Sequence, residues 1–382
     1  MKKFVEFVKH LHDVQMNFLT SKLMKEKIPC AFFTPMISAS LDIIDQIRNA
    51  GINLTTILTS DKRYSDFKSD LTILHINDIN KQPHPKYCFV VEDFGTFVTL
   101  KRLLEYNLEP IFLEFKEFPG TVNFDFYIEH LPRIFEVYQD LIDDESRDVL
   151  IGYMLAQISK RISFCKFSNN VQYILNGFEP KPNEILIDCG VCDGATAVMF
   201  SNFGCRVIGF EMDSENYKIA SEVAKNKNFV VENLGLGDEN KSVAYTHFKN
   251  NIGGSFIDNK GNSTAQIVTL DSYVQEHHLP SVDFIKMDVE GAELSILKGA
   301  TNTITRFKPR LALSAYHKPE DIFTLYEFVK SIRPDYEFAF RHYATTPNIT
   351  PSIFVKEIVE YCRELDMPLE MCGLAELVLF AR

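Results

Sequence analysis

Between residues 30 and 115 the chain alternates short apolar runs with amphipathic stretches. "CAFFT", "NLTTILT", "LTILHI", "YCFVVE" and "EPIFLE" have the length and apolar density of strands. "SLDIIDQIRNAG", stopped by Gly51, and "GTFVTLKRLLEYN" carry apolar residues at helical steps. Strand–helix alternation predicts a parallel sheet covered by helices. Residues 120–178 change period. "FDFYIEHLPRIFEVYQDLIDDESRDVLIGYMLAQISKRI" steps by three and four and predicts two helices. Asp143, Asp144 and Glu145 stand at the start of the second, where a solvated acidic cluster suits the helix dipole.

A second series begins at 184. "EILIDCG" is a strand, "GATAVMFSNFG" a helix stopped by Gly204, and "CRVIGFE" a strand. "DSENYKIASEVAKNKN" is a capped helix, and "FVVENLGLGD" a strand with its exit loop. "KSVAYTHF", "GGSFI" and "AQIVTLDSYV" then alternate at period two and predict short antiparallel strands around Gly253 and Gly254. "VDFIKMD", "EGAELSILKGA", "RLALSAYH", "EDIFTLYEFVKSI" and "YEFAFRHY" resume the strand–helix rhythm, and "AELVLFA" is the last strand. The opening segment places Phe4, Phe7, Val8, Leu11, Val14 and Phe18 at helical spacing. Glu6, His10, His12 and Asp13 break any signal-peptide core, and no apolar run has membrane-spanning length. The predicted organisation is a Rossmann-like domain with a leading helix over 1–118, a helical connector over 119–178 that offers a surface for a homodimer, and a larger α/β domain over 179–382. A helical insertion at 351–370 precedes its last strand.

Composition narrows the function. The 382 residues include 40 Lys and Arg against 52 Asp and Glu, a net charge of -12, which opposes general nucleic-acid binding. The eight cysteines are scattered, as in a reduced cytoplasmic protein. Cys189 and Cys192 have C-x-x-C spacing; no second pair is placed to complete a zinc site, a redox pair would want a helix N-terminus such as this turn resembles, and the favoured reading is two small residues around a turn. The N-terminal domain lacks a glycine in its first turn, "FFTPMISAS", so pyrophosphate has no close backbone to approach; it is a degenerate nucleotide fold serving as scaffold or partner-binding domain.

The chemistry collects at predicted strand ends, where open α/β sheets bind ligands. In chain order these ends carry Asp188, Gly190, Asp193 and Gly194; Glu211 and Met212; Asn233, Gly235, Gly237 and Asp238; Asp288, Glu290 and Gly291; and Tyr316, His317 and Lys318. A dinucleotide would set its pyrophosphate against Asp188 and Asp193. The glycines are also spaced G-x-x-x-G rather than G-x-G-x-x-G, and no Lys-Ser/Thr follows them as in a P-loop. A cofactor with positive charge and no phosphate fits better, namely S-adenosylmethionine. Glu211 stands 23 residues after Asp188, near the offset at which an acid meets ribose hydroxyls.

"IDCGVCDGATAVMF", "VIGFEMDSENY", "NLGLGDE", "VTLDSYV" and "VDFIKMDVEGAELSILKGA" resemble, in order and spacing, the FkbM family of S-adenosylmethionine-dependent methyltransferases, over about residues 175–343 and the final strand. "SAYHKPEDIF" and "FRHY" resemble a subgroup with an N-terminal Rossmann-like domain and helical linker. The resemblance implies a class I methyltransferase doubly wound sheet and O-methylation of a hydroxyl on a small molecule, a sugar or nucleotide-linked carbohydrate. It implies that Asp188, Gly190 and Gly194 carry the methionine end of the cofactor, Glu211 the ribose, and that Asp238 lies near the adenine; Asp193, Met212, Asn233 and Asp288 complete the expected cofactor set. Cys192 departs from the family pattern.

A neutral hydroxyl must lose its proton as the methyl arrives, and His317, Asp288 and Glu290 are the expected bases. Glu293, one turn further on, is expected to be solvated. Arg341 and His342 are weaker expectations for an anionic group on the substrate. No metal ligand is assigned, although Asp288 and Glu290 could hold a divalent ion that acidifies a diol. Two other readings stay open: a nucleotide-sugar-modifying enzyme, which would bind NAD against an acidic turn, and a non-catalytic scaffold, which has no need of both the acid–glycine turn and Glu211.

Overall fold

In the computed structural model the described residues are 2, 4–7, 19–34, 37, 41–49, 51–60, 64–91, 103, 106–113, 124–159, 164–168, 170–225, 227, 229–246, 256–258, 260–343 and 376–382. Most of the leading helix, the bulk of "GTFVTLKRLLEYN", Gly253 and Gly254, and the expected insertion at 351–370 lie outside them. The chain divides into two compact units: residues 1–126, 154–165 and 357–374, and residues 127–153, 166–356 and 375–382. The span expected as a connector is thus shared between the two.

The first unit holds five parallel strands: β1 (Cys30–Thr34), β2 (Leu54–Thr59), β3 (Thr72–His75), β4 (Tyr87–Val91) and β5 (Glu109–Leu113), in the order β3-β2-β1-β4-β5. Alternate residues of β1 serve opposite cores. Cys30 and Phe32 pack with Leu23, Ile44 and Ile47 on one face; Ala31 and Phe33 pack with Leu103 and Leu108 on the other. A strand covered on both sides needs an unbroken apolar run, which is why "CAFFT" shows no polar alternation.

The second unit is built on seven strands: β6 (Ile185–Cys189), β7 (Arg206–Phe210), β8 (Phe229–Glu232), β13 (Phe284–Met287), β14 (Arg310–Ser314), β15 (Phe338–Tyr343) and β16 (Glu376–Ala381). Their order is β15-β16-β14-β13-β6-β7-β8, with β16 antiparallel to both neighbours. The order reverses between β6 and β13, so the ligand crevice falls at their carboxyl ends. Leu186, Phe284, Ala312, Ala339 and Phe380 form a core with Ala197, Phe200 and Ala220 from the covering helices. A smaller sheet of β9 (Gly235–Leu236), β10 (Lys241–Thr246), β11 (Phe256–Ile257) and β12 (Ser263–Val268) has the order β11-β10-β12-β9.

Three elements differ from the sequence expectation. The first of the two expected helices is broken at His130 into Phe124–Glu129 and Leu131–Asp140, because Pro132 suits only a helix's first turn. "LDSYV" is not strand: Leu270–Glu276 is a helix, capped by the Thr269 hydroxyl accepting from the Ser272 amide at 3.0 Å. Thr301–Phe307 is a further helix, stopped by Lys308 in the left-handed conformation.

Candidate active site

The turn after β6 is shaped by backbone needs. Gly190 and Gly194 have φ of 80° and 90°, and Cys192 has φ of 55°. A Cβ on Gly190 would lie 2.0 Å from the Asp288 carbonyl oxygen, so this glycine lets the turn after β6 touch the backbone of the turn after β13. Asp193 accepts from the Ala195 amide at 2.9 Å in a local turn just before the helix Ala195–Asn202, whose N-cap is Gly194.

Beneath the turn lies an ion pair. Lys286 on β13 is the register partner of Asp188 on β6, and its Nζ sits 3.0 Å from Asp188 Oδ1 and donates to the Gly190 carbonyl at 2.9 Å. Both residues are buried, and Thr196 donates to the other Asp188 oxygen at 2.8 Å. Burial pushes the Lys286 ammonium down, but the charges of Asp188 and Asp288 outweigh it and hold its pKa above the ordinary value. Asp188 is fully buried, and its ion pair holds the glycine turn in place. Lys286 was not anticipated; its signal was a lysine amid the apolar residues of "VDFIKMD".

At the end of β7, Glu211 is buried and accepts from the Cys192 amide with one oxygen and the Asp213 amide with the other, each at 2.8 Å. Burial lifts its pKa to about 7. Each oxygen retains a lone pair for another donor. Asn233 donates to the Glu211 carbonyl at 2.9 Å and to that of Met212 at 3.4 Å, tying the ends of β7 and β8 together. Asp238 is exposed, and its amide donates to Ser295 Oγ at 3.1 Å. Burial raises the thiol pKa of Cys189, and that of Cys192 to about 12, so neither is a ready thiolate.

On the other side of the reversal point, Asp288, Glu290 and His317 come together. His317 Nε2 is 3.5 Å from Asp288 Oδ1 and 3.8 Å from Glu290 Oε2, and has no hydrogen-bond partner among the described residues. Its Nδ1 is 2.7 Å from Glu293 Oε1. Glu293 is therefore not solvated as expected. It is fully buried and also accepts from the Val289 amide at 3.1 Å, because Glu290 and Gly291 with φ of 51° and 91° turn the helix start inward. Burial alone would lower the His317 pKa; the Glu293 hydrogen bond and the neighbouring carboxylates outweigh it and raise it to about 9.

Two tyrosines hold Asp288: Tyr316, named at its strand end in the sequence, and Tyr173, which no motif marked. Tyr173 donates to Oδ2 at 2.9 Å and Tyr316 to Oδ1 at 3.1 Å. Burial opposes ionisation of Asp288, but Lys286 and His317 outweigh it and keep its pKa below the usual carboxylate range. Glu290 goes the other way, raised chiefly by burial. Glu376, at the start of β16, accepts from the Gln172 side chain, and burial followed by the Asp288 charge raises its pKa to about 7.

Arg341 does not reach this site. Its guanidinium is 2.8 Å from both Asp143 Oδ2 and Ser146 Oγ, and 3.2 Å from Glu145. Asp143 is thereby an anchor rather than part of a solvated cluster; hydrogen bonds from Arg341 and Ser146 overcome burial and hold its pKa to about 2. His342 is buried against Phe167 and Tyr153. Among the described residues no group of three or more His, Cys, Asp or Glu has the geometry for a metal ion, and no helix is long and apolar enough to cross a membrane.

Residues 188–341 match the family described as the methyltransferase FkbM domain. No curated protein matches the chain. Among solved structures, a methyltransferase FkbM from Methylobacillus flagellatus KT is similar over 100% of this chain and 98% of its own, with 18% identity and a TM-score of 0.65, a likeness of fold. Precorrin-6y C5,15-methyltransferase from Geobacter metallireducens GS-15 shares 11% identity over 56% of this chain and 91% of its own, with a TM-score of 0.33, too low to bear on function.

Proposed function

Since the chain carries a methyltransferase FkbM domain over residues 188–341, we propose that it is an S-adenosylmethionine-dependent O-methyltransferase acting on a hydroxyl of a small, carbohydrate-like molecule. The observation that carries this reading is the His317 imidazole. One nitrogen is gripped by buried Glu293, while the other faces Asp288 and Glu290 without a hydrogen-bond partner. That is the arrangement of a positioned general base.

The residues present suit the cofactor. Glu211 keeps acceptor capacity for ribose hydroxyls at the end of β7. The rim is acidic, and Lys286, the cation that lies beneath the glycine turn among the described residues, is committed to Asp188 and the Gly190 carbonyl, an arrangement that does not favour a pyrophosphate. Bound, the cofactor supplies an electrophilic methyl carbon. The protein's part is to hold an acceptor hydroxyl in line with it, to take up the hydroxyl proton at His317 Nε2, and to balance the resulting charge through Glu293. Asp288, fixed by Tyr173 and Tyr316, is placed to orient the acceptor and is a weaker base than His317.

The test pairs binding with turnover. S-adenosylhomocysteine should bind the full-length protein at micromolar concentration, and NAD should produce no thermal shift. His317→Gln should retain that binding and lose roughly 10²- to 10⁴-fold in kcat once an acceptor is in hand. No binding of S-adenosylhomocysteine, with or without Mg²⁺, would sink the reading and favour a non-catalytic scaffold; full turnover by His317→Gln would remove His317 as the base.

A further inference from the structure

The acceptor side of the site is unbalanced in charge. Among the described residues, Asp288, Glu290, Glu293 and Glu376 are met by the imidazole of His317 and by the more distant charge of Lys286, which is itself paired with Asp188. Among the described residues no lysine or arginine forms an ion pair with Asp288, Glu290 or Glu376. Lys286 is paired with Asp188, Arg341 with Asp143 and Glu145, and Lys318 donates to the Gly291 carbonyl.

Glu376 has no role in the chemistry so far. It opens β16 opposite Tyr343, and the following residue's carbonyl accepts from the Ala315 amide at 2.8 Å, which sets Glu376 at the same rim as Tyr316 and His317. Its described partner is the amide nitrogen of Gln172, a residue only 2% exposed. With that nitrogen on the carboxylate, Gln172 Oε1 is left an acceptor without a donor. The His317 side chain is 8% exposed, and its unpartnered Nε2 is turned into the same group of carboxylates. Gln172 Oε1 is thus an acceptor without a donor, and partly buried carboxylates that outnumber their cations favour a cationic partner.

We propose that the acceptor is a basic alcohol: a hydroxyl-bearing molecule that carries an ammonium group, as amino sugars do, and no phosphate. Its hydroxyl lies at His317 Nε2 and its ammonium at Glu376 and Gln172. This rests on the methyl-transfer reading and narrows it, because a nucleotide-linked sugar would bring a pyrophosphate toward four carboxylates. The charge also assists the chemistry. An arriving ammonium beside a sulfonium weakens the hold of His317 on its proton, which in the free protein is released only toward pH 9.

The test is equilibrium binding of a matched panel to the full-length protein, with and without saturating S-adenosylhomocysteine. The panel comprises amino sugars and aminocyclitols, their neutral parents, and the phosphate esters of those parents. At least one amine should bind roughly tenfold or more tighter than its neutral parent, the gain typical of a charge-assisted contact, and the phosphate esters should bind worst. Glu376→Gln should reduce the amine preference to about twofold while leaving S-adenosylhomocysteine affinity in place. No amine outperforming its parent, a preference that survives Glu376→Gln, or phosphate esters that bind best once Mg²⁺ is added would each overturn the proposal. Lack of S-adenosylhomocysteine binding instead counts against methyl transfer, and the amine preference is still scored from the arm without it.

Discussion

Lys286 shows what one buried charge does here. Its ammonium is the countercharge of Asp188 and a donor to the Gly190 carbonyl, so it fastens β13 to the turn after β6. Lys286→Met should leave a carboxylate unpaired in the core and cost about 3–5 kcal/mol, read as a lower denaturant midpoint at unchanged slope. A double variant that also replaces Asp188 by Asn should recover part of the loss. His317 makes the second residue-scale prediction. Its folded pKa of about 9 lies above the ordinary 6.5, so kcat/KM should rise with pH toward 9, and the kcat limb should fall at lower pH once the cationic cofactor is bound. A kcat/KM profile flat from pH 7 to about 9 would show that His317 is not the group titrated.

At the scale of elements, the parallel series were legible because alternation and apolar length are local properties. The failures came where two periods meet. "AQIVTLDSYV" reads as one strand, yet β12 ends at Val268, and Leu270, Tyr273 and Val274 then bury at helical spacing behind the Thr269 cap. Thr269→Ala should cost about 1 kcal/mol, measurable as a lower melting temperature. The site was legible in the same partial way. Asp288, Glu290 and His317 announce themselves at strand ends, and the structure brings them together. Lys286 stayed hidden because strand register is not written in one dimension; only the pairing of β13 with β6 sets it opposite Asp188. Tyr173 lies 115 residues from Asp288 in the chain, and no local pattern connects them. Glu293 looked solvated because the two left-handed residues before it reverse the face a regular helix start would show.

For the molecule as a whole, the raised carboxylates set the pH response. Glu211, Asp321 and Glu376 each have folded pKa values near 7, burial being the first cause, and His317 one near 9. All four hold protons more tightly folded than unfolded. Their contribution is complete below the unfolded values and is lost as pH rises through the folded ones. Asp143, held to about 2, works in the opposite sense: its contribution is present above its unfolded value and disappears in acid. The melting temperature should therefore peak at about pH 4 and decline toward pH 9, and His317→Gln should flatten the upper part of that decline. A melting temperature still climbing from pH 5 to 9 would show that the four groups are not held as described.

The contact between Gly190 and the Asp288 carbonyl has a consequence for how such a protein changes over time. The closest approach between the turn after β6 and the turn after β13 is backbone against backbone, with the Val289 side chain beside it. Mutation acts on side chains, so it can refit either pocket while the spacing between them stays where the sheet put it. On the proposed methyl-transfer reading, Glu376, Gln172 and Glu290 can be exchanged to admit a new acceptor, and the line from methyl carbon to oxygen is inherited rather than rebuilt. The glycine acts as a fixed jig, and around it the choice of substrate is free to drift.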